Sequence, residues 1–286
     1  MANSSFDRER IGGVSRRTFL ADVGIAVAGA AVLPAAASAF SEQSGTRGSI
    51  KLFNGKDLSG LTTWLHGPGK NSDPNKVFTV HDGLLRISGE TYGAALTDRE
   101  YENYRVVAEW KWGEKTWAPK PGARDSGLLL HCGADDGGFR SDWPEAIEFQ
   151  IYEGAVGDFI LMGTGVTIEG ELRADKLFHY VPGKPAEPRE TKKDGKATGI
   201  TYIIPHLNRD PDWKNVLGFA GKGDAEKPTG EWNTIEAICD GDTITNIVNG
   251  RTVNKCTNAH PSRGRIGFQS EGSEILVRRW ELTPLK

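Results

Sequence analysis

The stretch Tyr104-Arg105-Val106-Val107-Ala108-Glu109-Trp110-Lys111-Trp112 decides the fold class. In an extended chain Val106, Ala108, Trp110 and Trp112 share one side, and Arg105, Val107, Glu109 and Lys111 share the other. Successive side chains of a strand point to opposite faces, so the pattern predicts a strand with one buried and one wetted face. The alternation recurs at Ser126 to His131, Ala146 to Tyr152, Thr234 to Cys239, Thr243 to Val248, Arg265 to Gln269 and Ile275 to Leu282. Between the runs stand His81-Asp82-Gly83, Asp240-Gly241-Asp242 and Asn249-Gly250, whose Asp-Gly and Asn-Gly steps supply the positive φ of tight hairpins. Helical periodicity is nearly absent. Many strands with one apolar face each, and no helices to cover them, predict an all-β fold, a two-sheet antiparallel jelly-roll sandwich.

Composition agrees with this reading. The 286 residues include 36 Gly without a triplet period, as tight turns between short strands require, and the 37% apolar content with 8 Trp can fill a core. The net charge of -3 and the absence of a basic block argue against a nucleic-acid partner and against an anionic membrane surface. The cysteines Cys132, Cys239 and Cys256 are too few and too scattered for a disulfide framework or a zinc knuckle. Cys239 with Cys256 is the one pair to test, against the alternative of two separate thiols.

Residues 1–39 read as a twin-arginine signal peptide. Ser15-Arg16-Arg17-Thr18-Phe19-Leu20 precedes a mild apolar run from Val23 to Leu33, and Ala37-Ser38-Ala39 offers a small-residue cleavage site. The run is shorter than the ~20 residues of a membrane span and rich in Gly and Ala, so no membrane anchor is expected. The expected location is periplasmic or secreted. Residues 40–50 then form a short linker and 51–286 a single domain. Within it, 169–229 is rich in Lys, Pro, Gly and Asp and reads as a long loop insertion, functional or partly mobile, overhanging one face of a sheet.

Alternation also sorts the polar residues. With Ile147, Phe149 and Ile151 on the core face, Glu148, Gln150 and Tyr152 point together to the opposite one, neighbours on that face standing about 7 Å apart. The same logic puts His131 on the polar side of its strand and Gln269 on that of another, with Glu109 and Lys111 joining from a third. The Trp143-Pro144 turn and Arg140 border this patch, and Trp64, Trp117 and Trp213 are candidate stacking platforms. Carboxylates and planar amides match paired sugar hydroxyls, and aromatic rings cover apolar sugar faces, so the set points to carbohydrate. A GxSxG elbow, a phosphate-binding loop, a dinucleotide fingerprint and an HExxH motif are all missing, and no nucleotide cofactor is expected. Gln150 stands where a second acid of an ordinary retaining glycosidase would be.

Several motifs together resemble a known family. They are Leu52-Phe53-Asn54-Gly55-Lys56-Asp57-Leu58-Ser59-Gly60, Asp82-Gly83, Asp125-Ser126-Gly127, Glu148-Phe149-Gln150, Glu231-Trp232-Asn233, Asn249-Gly250 and Gly264-Arg265-Ile266-Gly267-Phe268-Gln269. Their order and spacing resemble the 3-keto-disaccharide hydrolase domain, formerly a domain of unknown function. The resemblance implies a concanavalin A-like jelly roll acting on glycosides already oxidised at C3. A ketone at C3 acidifies the C2 proton, so one base can start an elimination at C1 that hydration completes. Glu148 or His131 is then the base, with Gln150 and Lys111 holding the substrate or polarising the ketone. A divalent metal on His131 and Glu148 is an alternative electrophile. A sugar 3-dehydrogenase is the implied functional neighbour. The competing reading is a non-catalytic carbohydrate-binding module of the same fold.

Overall fold

The computed structural model describes residues 48–117, 122–163, 167–170, 189–193 and 196–286. The proposed signal peptide, 1–39, lies outside them. The strands are β1 (Ile50–Lys51), β2 (Leu61–Leu65), β3 (Gly69–Lys70), β4 (Phe78–His81), β5 (Leu84–Ile87), β6 (Gly93–Thr97), β7 (Tyr104–Thr116), β8 (Asp125–Cys132) and β9 (Ala146–Tyr152). They continue as β10 (Phe159–Met162), β11 (Thr167–Gly170), β12 (Arg189–Lys193), β13 (Lys196–Ile204), β14 (Asn233–Asp240), β15 (Thr243–Val248), β16 (Arg251–His260), β17 (Arg265–Ser270) and β18 (Ser273–Pro284). Among the described residues no helix occurs.

All of these pairings are antiparallel and form two sheets. The back sheet runs β11-β16-β15-β14-β7-β18-β5-β4, with β1 added on β18; the front sheet runs β12-β13-β10-β9-β8-β17-β6-β2-β3. This is a jelly-roll sandwich. Trp110, Trp280, Ile235 and Val277 of the back sheet bury against Leu128, Phe149, Ile151 and Phe268 of the front sheet. Phe268 meets Trp280 edge-on, with ring centroids 5.0 Å apart. Each such large side chain contributes about 1.5–3 kcal/mol by leaving water.

The turns form as their residues dictate. Asp82 (φ 50°) with Gly83 (φ 78°) closes β4 onto β5, and Asn249 (φ 49°) with Gly250 (φ 79°) closes β15 onto β16, both in the left-handed region that matches strand twist. Strands β14 and β15 alternate between buried and half-buried residues, as a sheet with one wet face should. Strand β8 is buried at every position, and β9 at every position but Tyr152. The outer face of the front sheet is therefore covered, in part by a second apolar cluster in which Phe139 and Trp143 pack on Leu96, Leu129, Ala146 and Met162.

Two sequence expectations change here. The stretch 169–229 is not one loop, because β12 and β13 pair with each other and β13 extends the front sheet beyond β10. Turns and charged residues hid these strands. Cys239 and Cys256 do not form a disulfide: both are buried and opposite Ile244, one on each side of β15. Two strand spacings, about 9–10 Å, exceed the ~7 Å limit for bridging Cα atoms. Burial pushes the thiols of Cys132 and Cys239 up to about 12. A thiol reagent at pH 8 should leave the native protein unlabelled and modify 3 cysteines after denaturation, and a reductant should not move Tm. A reductant-sensitive Tm would contradict this arrangement.

Candidate active site

Glu148, Gln150 and Tyr152 follow one another on the outer face of β9, because Ile147, Phe149 and Ile151 are claimed by the core. They line a cavity of about 350 Å³ on the front sheet, together with Asp125, Gln269 and Trp143. Glu148 is only 2% exposed. Its side chain leans over Gly127 of the neighbouring strand, where an added Cβ would stand 2.1 Å from Oε1. Gly127 does not have a positive φ, so its role is to leave room for the carboxylate. Gln150 donates from Nε2 to Asp125 Oδ1 at 2.5 Å, which fixes the amide and orders the second carboxylate of the cavity.

Two loops wall the cavity. The first, between β8 and β9, delivers Phe139, Arg140 and Trp143. Arg265 ties it down by donating to Asp136 Oδ1 and to the Gly133 carbonyl, each at 2.6 Å. Further ties are His66 to Asp142 at 2.8 Å and the Trp64 indole N–H to the Ser141 carbonyl. Arg140 and Ser141 take positive φ, 58° and 62°, and the Arg140 guanidinium lies 4.9 Å over the Phe139 ring. The second loop follows β13 and brings Arg209, Trp213 and Asn215 to the opposite wall. Asp158 anchors it by accepting the His206 N–H at 2.8 Å and a hydrogen bond from Arg209, a buried pair whose rupture costs about 3–5 kcal/mol. The Trp213 ring stands 4.8 Å from Tyr152 and 4.5 Å beneath Arg209.

A buried carboxyl supports this wall from behind. Glu226 accepts the Trp112 indole N–H at 2.6 Å and the Gly154 N–H at 3.0 Å, and burial pushes it up to about 8. Gly154 itself has φ 75°, and an added Cβ would stand 2.6 Å from Phe219.

Of the residues the sequence nominated, Glu148, Gln150, Tyr152, Arg140, Trp143 and Gln269 line this one cavity, and so does Trp213. Three do not. His131 has φ 54° and sits at a bulge, where Leu130 and His131 on β8 oppose the single residue Ile266 on β17. The extra residue turns the imidazole inward, edge-on to Tyr104 at 5.7 Å, where Nδ1–H donates to the Pro261 carbonyl at 2.8 Å. Burial lowers its pKa to about 4. It is a neutral structural histidine between the sheets and cannot share a metal with Glu148. Among the described residues no group of 3 or more His, Cys, Asp and Glu has metal-holding geometry. Glu109 and Lys111 lie on β7 of the back sheet, facing away from the core. Glu109 binds Arg278 and Arg279, and Lys111 lies 5.1 Å over the Trp232 ring.

Sequence reasoning passed over Asp125, Asp158, Arg209, Asn215 and Glu271 as site residues. Asp125 and Glu271 were within reach, since each shares the outward parity of Gln150 or Gln269. Asp158, Arg209 and Asn215 lie outside the alternating runs and carry no periodic signal.

A family profile described as a 3-keto-alpha-glucoside-1,2-lyase-like domain matches residues 48–283. Among curated proteins none matches the sequence. Similar solved structures include a candidate glycosyl hydrolase from Parabacteroides distasonis, 17% identical, covering 84% of this chain and 94% of that one at a TM-score of 0.49. A β-glucanase from Bacillus licheniformis is 13% identical over 84% of this chain and 100% of its own, with a TM-score of 0.44. The carbohydrate-binding module CBM66 from Bacillus subtilis is 10% identical over 78% and 95%, with a TM-score of 0.42. At these identities nothing about activity follows from the likeness.

Two predictions follow from the geometry. Gly127→Ala should displace the Glu148 carboxylate and lower ligand affinity or turnover at least tenfold with little change in Tm; unchanged binding and turnover would detach Gly127 from the site. The depressed pKa of His131 means that its contribution to stability is complete above pH 6.5 and is lost as pH falls through about 4. In NMR titrations its ring should stay neutral to near pH 4, and His131→Asn should flatten the acid limb of the stability profile.

Proposed function

Because the chain belongs to the 3-keto-alpha-glucoside-1,2-lyase-like domain family, we propose that it is a carbohydrate-active enzyme that cleaves 3-keto-glycosides, including 3-keto-disaccharides, by elimination at C1 followed by hydration. The observation that carries this reading is Glu148, a nearly fully buried carboxylate on a rigid strand, aimed into a cavity that also presents cationic, phenolic and aromatic groups.

In the proposed step Glu148 takes the proton from C2, and the C2–H electron pair delocalises onto the C3 oxygen as an enolate. That charge needs preorganised donors, and Arg140 and Tyr152 line the same cavity. Collapse of the enolate forms the C1–C2 double bond and expels the C1 oxygen, which leaves with a proton from Tyr152 or from the newly protonated Glu148. Water then adds its oxygen to C1 and a proton to C2, giving net hydrolysis. Asp125 and Gln150 form one hydrogen-bonded unit beside the base and serve to hold sugar hydroxyls. Trp213 bounds the pocket as a surface for a sugar ring, and the buried Trp143 lines it as apolar packing.

The setting we infer is outside the cytoplasm, reached by the twin-arginine route that Arg16-Arg17 and Ala37-Ser38-Ala39 support. A separate sugar 3-dehydrogenase must make the substrate, since no nucleotide-binding motif is present in this chain.

The test compares a chromogenic 3-keto-glucoside with its unoxidised parent. Release from the keto form alone is expected, and Glu148→Gln should reduce it by more than a hundredfold while preserving Tm. Release from both forms, or near-normal activity of Glu148→Gln, would overturn the mechanism. Binding of the sugar without release would reduce the protein to a carbohydrate-binding module.

A further inference from the structure

A second cleft, of about 410 Å³, opens on the other side of the sandwich. It lies at the β4–β5 edge of the back sheet and is lined by Lys76, Thr79, Arg86, Ser88, Lys115 and Trp117. Core packing dictates which residues face it: Phe78, Val80, Leu85 and Ile87 turn inward, leaving Thr79 and its cross-strand partner Arg86 on the outside. None of its residues lines the cavity that holds Glu148.

The cations of this cleft differ from one another in what they are bonded to. Most exposed arginines of the sandwich carry a carboxylate partner: Arg105 with Glu236, Arg263 with Glu100, and Arg278 and Arg279 with Glu109. Within the cleft Arg86 is likewise held by Glu274 at 2.6 Å. Lys76 and Lys115 are not: among the described residues neither forms an ion pair with a carboxylate. Glu90 is the one carboxylate in the lining.

The two lysines are also placed. Asp73 accepts the N–H groups of Val77 at 2.7 Å and Phe78 at 2.8 Å, and the Lys76 N–H donates to its carbonyl, closing a turn that leaves Lys76 at φ 55° beside the edge strand. The indole of Trp117 donates to the Ser88 carbonyl at 2.8 Å, which fixes the plane of its ring. The Lys115 ammonium stands 6.0 Å from the ring centroid, at the outer limit of a cation–π contact. It is placed beside the ring without being committed to it.

We infer that this cleft is a second saccharide-binding site, and that it takes an acidic glycan, one whose sugar units carry a carboxylate or a sulfate. The apolar face of one sugar ring stacks on Trp117, its anionic group lies between Lys76 and Lys115, and Thr79 and Arg86 meet its hydroxyls. Such a site would keep the protein on an acidic polysaccharide while the front cavity works on its own substrate. The inference does not depend on the reaction assigned to that cavity.

The test is affinity electrophoresis of the full chain through gels containing polygalacturonate at low ionic strength, with neutral galactan and poly-glutamate as the other arms. The chain carries a net charge of -3, so overall attraction to a polyanion cannot explain retardation. Retardation by polygalacturonate and not by galactan is expected. It should weaken about tenfold in Lys76→Glu/Lys115→Glu and in Trp117→Ala, and persist in Glu148→Gln. Salt should abolish most of it, as exposed charges are screened beyond about 8–10 Å. No retardation, retardation unchanged in both variants, or equal retardation by poly-glutamate that survives Trp117→Ala would overturn the inference.

Discussion

The edge-on contact of Phe268 with Trp280 joins the two sheets, and the rest of the structure depends on the packing it represents. Once one face of each strand is committed to that interior, the parity of every other residue is settled. Phe149 cannot be buried between the sheets without sending Glu148 and Gln150 to the far side of the front sheet. The same holds on β17, where burying Ile266 and Phe268 turns Gln269 outward. The site is thus a by-product of core packing with period two, and its groups inherit the rigidity of the strands.

The two sheets use their outer faces differently. The back sheet leaves its outer face to water and balances it with ion pairs such as Arg105 to Glu236 and Arg278 to Glu109. Contacts of this kind contribute little to stability, about 0–1 kcal/mol each, but they keep an exposed sheet from pairing with others. The front sheet instead covers its outer face with two loops. That covering desolvates Asp125, Glu148 and Asp158, and it is the step that turns a polar strand face into a chemically useful one.

How much of this could be read from the sequence follows from the same distinction. The sandwich, the Asp82-Gly83 and Asn249-Gly250 hairpins, and the grouping of Glu148, Gln150, Tyr152 and Gln269 all rest on local rules: alternation within a strand and φ at a turn. What alternation could not say was which sheet a strand joins. Glu109 and Lys111 have the outward parity of Glu148, yet β7 lies between β14 and β18, so they face the opposite side of the molecule. Nor could local rules find Arg209 and Asp158, which lie 51 residues apart and meet because β13 pairs with β10, setting Ile204 opposite Phe159.

At His131 strict alternation along β8 breaks down. Counting by twos from Leu128 and Leu130 sends it to the polar face, beside Glu148. A single extra residue opposite Ile266 reverses that parity, and nothing in Leu-Leu-Leu-His-Cys announces the bulge. The bulge has its own logic, however. An added Cβ at Gly264 would stand 2.4 Å from the His131 carbonyl carbon, so the neighbouring segment can approach the bulged backbone only as glycine. Closure of the chain at this end of the sandwich therefore uses the imidazole as an internal strut, bonded to Pro261 and packed on Tyr104. The histidine that looked most like a catalyst is spent on architecture. Of the two residues proposed as the base, only Glu148 then remains on the front face.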